Sequence, residues 1–198
     1  LARLARLLGT PEHAAAIAER VLELARANGR DVWAASGLAM RGALALDRGD
    51  LGAAHADLSS AADVLVARGD PASAASCLLD LARCEALRGD PDGARRRLDA
   101  AAVCAGGAPP GFAVLAAAQR AALGEIAASE ASRLCDARWD GMDVAHRLEA
   151  AALLRAAPGG EERVDEARSL AETVVTNAPA ECIGTLRATP LLRNVLVG

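Results

Sequence analysis

The triplet Arg-Gly-Asp occurs three times at a strict spacing of 20 residues, as Arg48-Gly49-Asp50, Arg68-Gly69-Asp70 and Arg88-Gly89-Asp90. Gly9, Gly49 and Gly89 continue the pattern at a spacing of 40. Punctuation this regular leaves room for one helix and one turn per period. Glycine tolerates the left-handed backbone that ends a helix, and good helix starters follow: Thr10 before Pro11, Asp50, Asp70 before Pro71, and Asp90 before Pro91. Between these marks, apolar and small residues such as Ala74, Cys77, Leu78, Leu81 and Cys84 recur at helical spacing, while arginines and acids fall largely on other faces. Strand-like alternation is absent. The expected fold is all-α, a series of antiparallel helix hairpins.

Composition supports close helix packing and narrows the function. The chain of 198 residues holds 51 alanines, the best helix former and one that lets helix axes approach closely. Its 22 arginines, with no lysine, are outnumbered by 26 acidic residues, for a net charge of −4. Without a basic footprint, no direct nucleic-acid binding by this segment is expected. The aromatic residues are Trp33, Trp139 and Phe112, too few for a base-stacking platform or an aromatic ligand cage. The longest apolar run, 112–118, falls far short of the roughly 20 residues needed to span a bilayer, so no membrane segment is expected. Five cysteines with no CxxC spacing suit a reducing cytoplasm. Exclusive use of arginine fits a GC-rich bacterial genome. The opening LARLARLLGT reads as a fragment that begins inside a helix.

Two central 40-residue units align when Gly49 and Gly89 are set as the fifteenth position of a template. The first shows Leu38, Gly42, Leu46, Gly49, Asp50, Ala54, Leu58 and Ala61; the second shows Leu78, Leu81, Ala82, Gly89, Asp90, Ala94, Leu98 and Ala101. This pattern resembles the tetratricopeptide repeat, a helix hairpin of about 34 residues. The resemblance covers roughly residues 34 to 105, with a longer period and with Ala45 and Glu85 at a position that is usually bulky. It implies a right-handed solenoid, with residues 1–105 forming repeats of which the first is truncated. The Gly/Pro-rich stretch 106–111 breaks the register, and no packed helix is expected to run through it. Degenerate hairpins are expected over 112–177, with helices near 112–126, 129–138, 142–156 and 161–177. Residues 178–198 read as capping helices, with pieces around Cys182 to Arg187 and Leu191 to Leu196.

Reactive chemistry finds few candidates. No Cys, His or carboxylate set shows metal-ligand spacing, and the glycines follow helices, where a phosphate loop needs them to precede one. No cofactor, metal or enzymatic activity is expected. Cys77 and Cys84 share a helix face and are read as core residues. Cys135 and His146 form a nucleophile and base only if two helices cross favourably. Glu161, Glu162, Asp165 and Glu166 suit the start of a helix. Arg95, Arg96 and Arg97, being consecutive on a helix, point in different directions.

What remains is surface recognition. The resemblance implies that the first helices of the hairpins line a concave groove, through Ser36, Ala39, Met40, Ala43 and Asp47 in one unit and Ser76, Leu79, Asp80, Arg83 and Leu87 in the next. The partner-binding residues expected from it are Met40, Asp47, Ser76, Leu79, Asp80, Arg83 and Leu87, with apolar contact from Met40, Leu79 and Leu87 and hydrogen bonds from Asp80 and Arg83. The expected function is a non-enzymatic scaffold in a cytoplasmic bacterial signalling or transcriptional regulator. It would bind a protein or peptide, or other domains of the same chain. The alternative is a sensor module that takes a small ligand or peptide in the groove.

Overall fold

The computed structural model describes residues 11–197, so the helix start expected at Thr10 and the reading of the first ten residues lie outside the described residues. The described residues are all-helical, with no strand among them. They divide into two compact units, Pro11–Ala108 and the residues from Pro109 onward.

The first unit holds α1 (Pro11–Ala27), α2 (Asp31–Asp47), α3 (Leu51–Ala67), α4 (Pro71–Leu87) and α5 (Pro91–Ala105). Its turns follow from the punctuation. Gly49, Gly69 and Gly89 adopt φ of 78°, 69° and 82°, a conformation that costs glycine little. The amide after each glycine reaches back five residues: Asp50 to the Ala45 carbonyl, Asp70 to Leu65 and Asp90 to Glu85, at 2.9, 3.2 and 2.9 Å. The same aspartates then cap the next helix, their side chains accepting from the amides of Ala53, Ser73 and Gly93 at 3.1, 3.1 and 2.8 Å. One Gly-Asp pair thus ends one helix and starts another.

Each helix of this unit packs on its neighbours in sequence, most extensively within the pairs α2/α3 and α4/α5, and α2 also touches α4. Leu22, Leu58, Leu65, Leu81 and Leu98 are fully buried between rows of buried alanine. Close approach is visible at Gly42, where an added Cβ would stand 2.8 Å from Leu58 Cγ. A half-buried polar staple crosses three helices. Arg41 of α2 donates twice to Asp57 of α3, at 2.6 and 2.8 Å, and once to Glu19 of α1, at 3.3 Å.

The second unit holds α6 (Pro110–Ala122), α7 (Ala128–Arg138), α8 (Val144–Ala156), α9 (Val164–Thr176), α10 (Ile183–Ala188) and α11 (Pro190–Val197), with short 3-10 turns before α8, α9 and α10. Its helices depart from the expected bounds for local reasons. α6 begins at Pro110, inside the stretch expected to be broken, because proline at the first helical position has φ already set and no amide to satisfy. It ends at Ala122, short of 126, where Gly124 takes φ of 73°. Glu161–Arg163 forms a 3-10 turn, and the α-helix begins only at Val164.

Packing here is not a simple succession, since α6 lies against both α7 and α8. Leu148 and Ala151 of α8, Ala167, Ala171 and Val175 of α9, Leu186 of α10, and Leu192 and Val195 of α11 share one core. No helix among the described residues is long and apolar enough to cross a membrane.

Candidate functional site

α2 and α4 start successive hairpins and touch each other, and they carry the residues expected to line the groove. Met40 and Ser76 are half-buried. Asp47 and Arg83 are also half-buried, and they bring the two helices together at 4.0 Å between carboxylate and guanidinium. Ser36 is exposed, but its hydroxyl donates to the Val32 carbonyl at 3.0 Å. Leu87 is 58% exposed at the end of α4.

Two of the expected contact residues are buried. Leu79 is 1% exposed and Asp80 8% exposed, so neither offers a side chain to a partner in this structure. The cause is the alanine content of α4. Ala74, Ala75 and Ala82 are buried, so neighbouring helices close in and enclose residues that a bulkier helix surface would hold open. Ala43 is buried for the same reason.

Three of the five thiols, Cys77, Cys84 and Cys135, are packed away, while Cys104 and Cys182 are half-buried. Cys77 Sγ donates to the Leu58 carbonyl at 3.3 Å and Cys84 Sγ to the Leu51 carbonyl at 3.5 Å, both tying α4 to α3. Burial pushes the Cys77 thiol up to about 12 and the Cys135 thiol up to about 11, and it raises Cys84 as well. A thiol so shifted holds little of the nucleophilic thiolate near neutrality. His146, the base considered for Cys135, instead stands 2.5 Å from Asp143 through Nδ1, and its ring meets Phe112 edge-on at 4.9 Å between centroids. Gly111 makes room for it, since an added Cβ there would stand 2.6 Å from the imidazole.

Two charged clusters hold structure together. Glu85 of α4 is buried, accepts from Arg97 Nε of α5 at 3.1 Å and lies 3.5 Å from His55 Nε2 of α3. Its other oxygen, Oε2, is buried without a hydrogen-bond partner, and an added Cβ at Gly93 would stand 2.7 Å from it. In the second unit, buried Arg163 donates to Ser132 Oγ and the Ser132 carbonyl, both at 3.2 Å, to Asp136 at 2.7 Å and to Glu166 at 2.5 Å. The Arg95–Arg97 run separates as its spacing implies. Arg95 pairs with Asp92 at 2.7 Å, Arg96 with Asp90 at 3.9 Å and Arg97 with Glu85. Among the described residues no group of three or more His, Cys, Asp or Glu is placed to hold a metal ion.

Sequence reasoning passed over Trp33. It is 67% exposed at the start of α2, beside a cleft of about 300 Å³ that Gly29, Arg30, Asp31, Val32 and Arg68 also line. The signal was in the spacing, because Trp33, Met40 and Asp47 stand seven residues apart and so share one line of the helix. Comparison with protein families, with curated proteins and with solved structures found no match for this chain.

Proposed function

We propose that residues 11–108 form a tetratricopeptide-like repeat scaffold and that the α2/α4 face binds a protein or peptide segment, without catalysis. The reading extends to a right-handed stacking of hairpins and to a cytoplasmic regulatory parent chain, whose other domains are candidate partners. The observation that carries it is the pairing of α2 with α4 through Asp47 and Arg83, with Met40 and Ser76 half-exposed beside them. First helices of successive hairpins placed side by side make the kind of shallow, mixed groove that accepts an extended or helical segment.

The test is selection from a displayed library of random peptides on the full chain. Selected peptides are expected to bind at least about fivefold more weakly to Met40→Ala and Arg83→Ala, about 1 kcal/mol each. Circular dichroism would check that both variants remain folded. Failure to enrich any peptide, or enrichment indifferent to both substitutions, removes the α2/α4 face from consideration.

A further inference from the structure

We infer that Trp33 anchors the partner at one end of this face, and that the bound segment is an acidic peptide with an apolar side chain beside its carboxylates. The inference rests on the interaction-surface reading above and specifies its occupant. Trp33 has most of its indole in solvent beside the cleft of about 300 Å³. Within the cleft Asp31 and Arg68 satisfy each other at 2.7 Å. Arg30 is exposed and has no side-chain hydrogen bond or ion pair among the described residues. The lining therefore carries one unbalanced positive charge in a chain whose net charge is −4. An indole face gains by losing water against an apolar group, and a guanidinium beside it matches a carboxylate. An acidic, partly apolar segment satisfies both, whereas a basic one meets like charge.

The repeat sharpens the argument. Where α3, α4 and α5 start with Asp50, Asp70 and Asp90, α2 follows Arg30, which provides no side-chain cap. Three residues beyond each cap stand Ala53, Ser73 and Gly93, all small, but Trp33 at this corner. At the α1/α2 turn, which supplies most of the cleft lining, an aspartate cap and a small residue are both replaced, whereas the turn that contributes Arg68 keeps Asp70 and Ser73. Asp31 still places an acid in the first turn of α2, but the cap and the small residue are lost together, and local rules broken together at one place point to a functional position.

The experiment uses the full chain carrying Trp139→Phe, so that Trp33 alone reports by fluorescence. It is titrated with the capped hexapeptide Leu-Glu-Glu-Leu-Glu-Glu and with the counterpart in which lysine replaces every glutamate. The glutamate peptide is expected to saturate the Trp33 signal and to weaken with added salt, while the lysine peptide leaves the signal unchanged. Arg30→Asp restores the cap found at the other three turns. It is expected to raise Tm by about 2–4 °C while weakening the glutamate peptide at least tenfold, opposite directions that separate recognition from folding. In the same titration followed by calorimetry, Trp33→Ala is expected to weaken binding by a similar factor. Equal binding of the two peptides, absence of binding by both, or affinity unchanged in Arg30→Asp and Trp33→Ala overturns the inference. Binding that responds to Arg83→Ala but not to Arg30→Asp overturns the Trp33 anchor alone and leaves the α2/α4 face as an interaction surface. Loss of the face itself would show instead in the library selection.

Discussion

From α2 to α5 one turn chemistry is used repeatedly, whereas from α6 to α11 nearly every junction is built differently. In the first unit a glycine with positive φ and an aspartate cap close each turn from Gly49 to Asp90. In the second unit the helix starts follow Pro109, Ala127, Asp143, Arg163, Cys182 and Thr189. The polar anchors differ in the same sense. Arg41 ties three helices from a half-exposed position, while Arg163 is buried and reaches back to Ser132 and Asp136 on α7 as well as forward to Glu166. A repeat distributes its stability over equivalent positions, but an irregular bundle concentrates it in a few.

That contrast is open to measurement by urea unfolding. Leu58 and Leu98 are 40 residues apart, both fully buried, and occupy equivalent places in successive hairpins. Leu58→Ala and Leu98→Ala are each expected to cost about 2–5 kcal/mol and to agree within about 1 kcal/mol. A wide disagreement would break the equivalence that defines the first unit.

Arg163→Ala is expected to cost about 2 kcal/mol, because it strips a buried set of donors from the Ser132 carbonyl and two carboxylates. Arg41→Ala should cost under about 1 kcal/mol, because solvent screens its half-exposed pairs. The reverse ranking would show that the two anchors do not differ as their burial implies.

The caps provide a finer test. Asp50→Ala, Asp70→Ala and Asp90→Ala are expected to cost about 1 kcal/mol apiece, with no one of them dominant. Unequal losses would mean that turns alike in geometry are unlike in energy.

The smallest effect concerns Asp143, the cap of α8. Burial pushes its carboxyl up, but hydrogen bonds from the His146 amide and ring outweigh burial and leave it below the usual range. A carboxyl lowered in the folded state stabilises above its unfolded pKa, near 4, and loses that contribution as pH falls through the folded value. Stability of the chain should therefore decline through this acid window, and the decline should be shallower in Asp143→Asn. An identical acid limb in both proteins would detach Asp143 from the pH response.

How much of this was legible depended on whether the cause was local. Asp50, Asp70 and Asp90 act through amides three residues away, and Gly49, Gly69 and Gly89 through their own φ, so helix bounds in the first unit could be read from neighbours in sequence. The start of α6 at Pro110 was obscured by the very prolines that begin it. The burial of Leu79 and Asp80 was not legible, because it depends on how closely other helices approach, which no residue of α4 states by itself. Glu85 looked out of place at a bulky position of the repeat, yet Arg97 and His55, from two other helices, meet it there. Arg163 lay beside the acidic residues assigned to a helix start, and its partners on α7 are 27 and 31 residues away.

By itself the sequence determined that the chain is helical, where the hairpin turns fall and which residues cap them, since dihedral preference and capping act within one turn of a helix. Tertiary structure alone decided which of the groove residues stay open, that Cys77 and Cys84 spend their thiols on carbonyls of α3, and that Trp33 borders a cleft with an Arg30 unpaired among the described residues. Those outcomes depend on distances between helices. Such distances are set by the summed volume of many alanines and leucines rather than by any short stretch of chain.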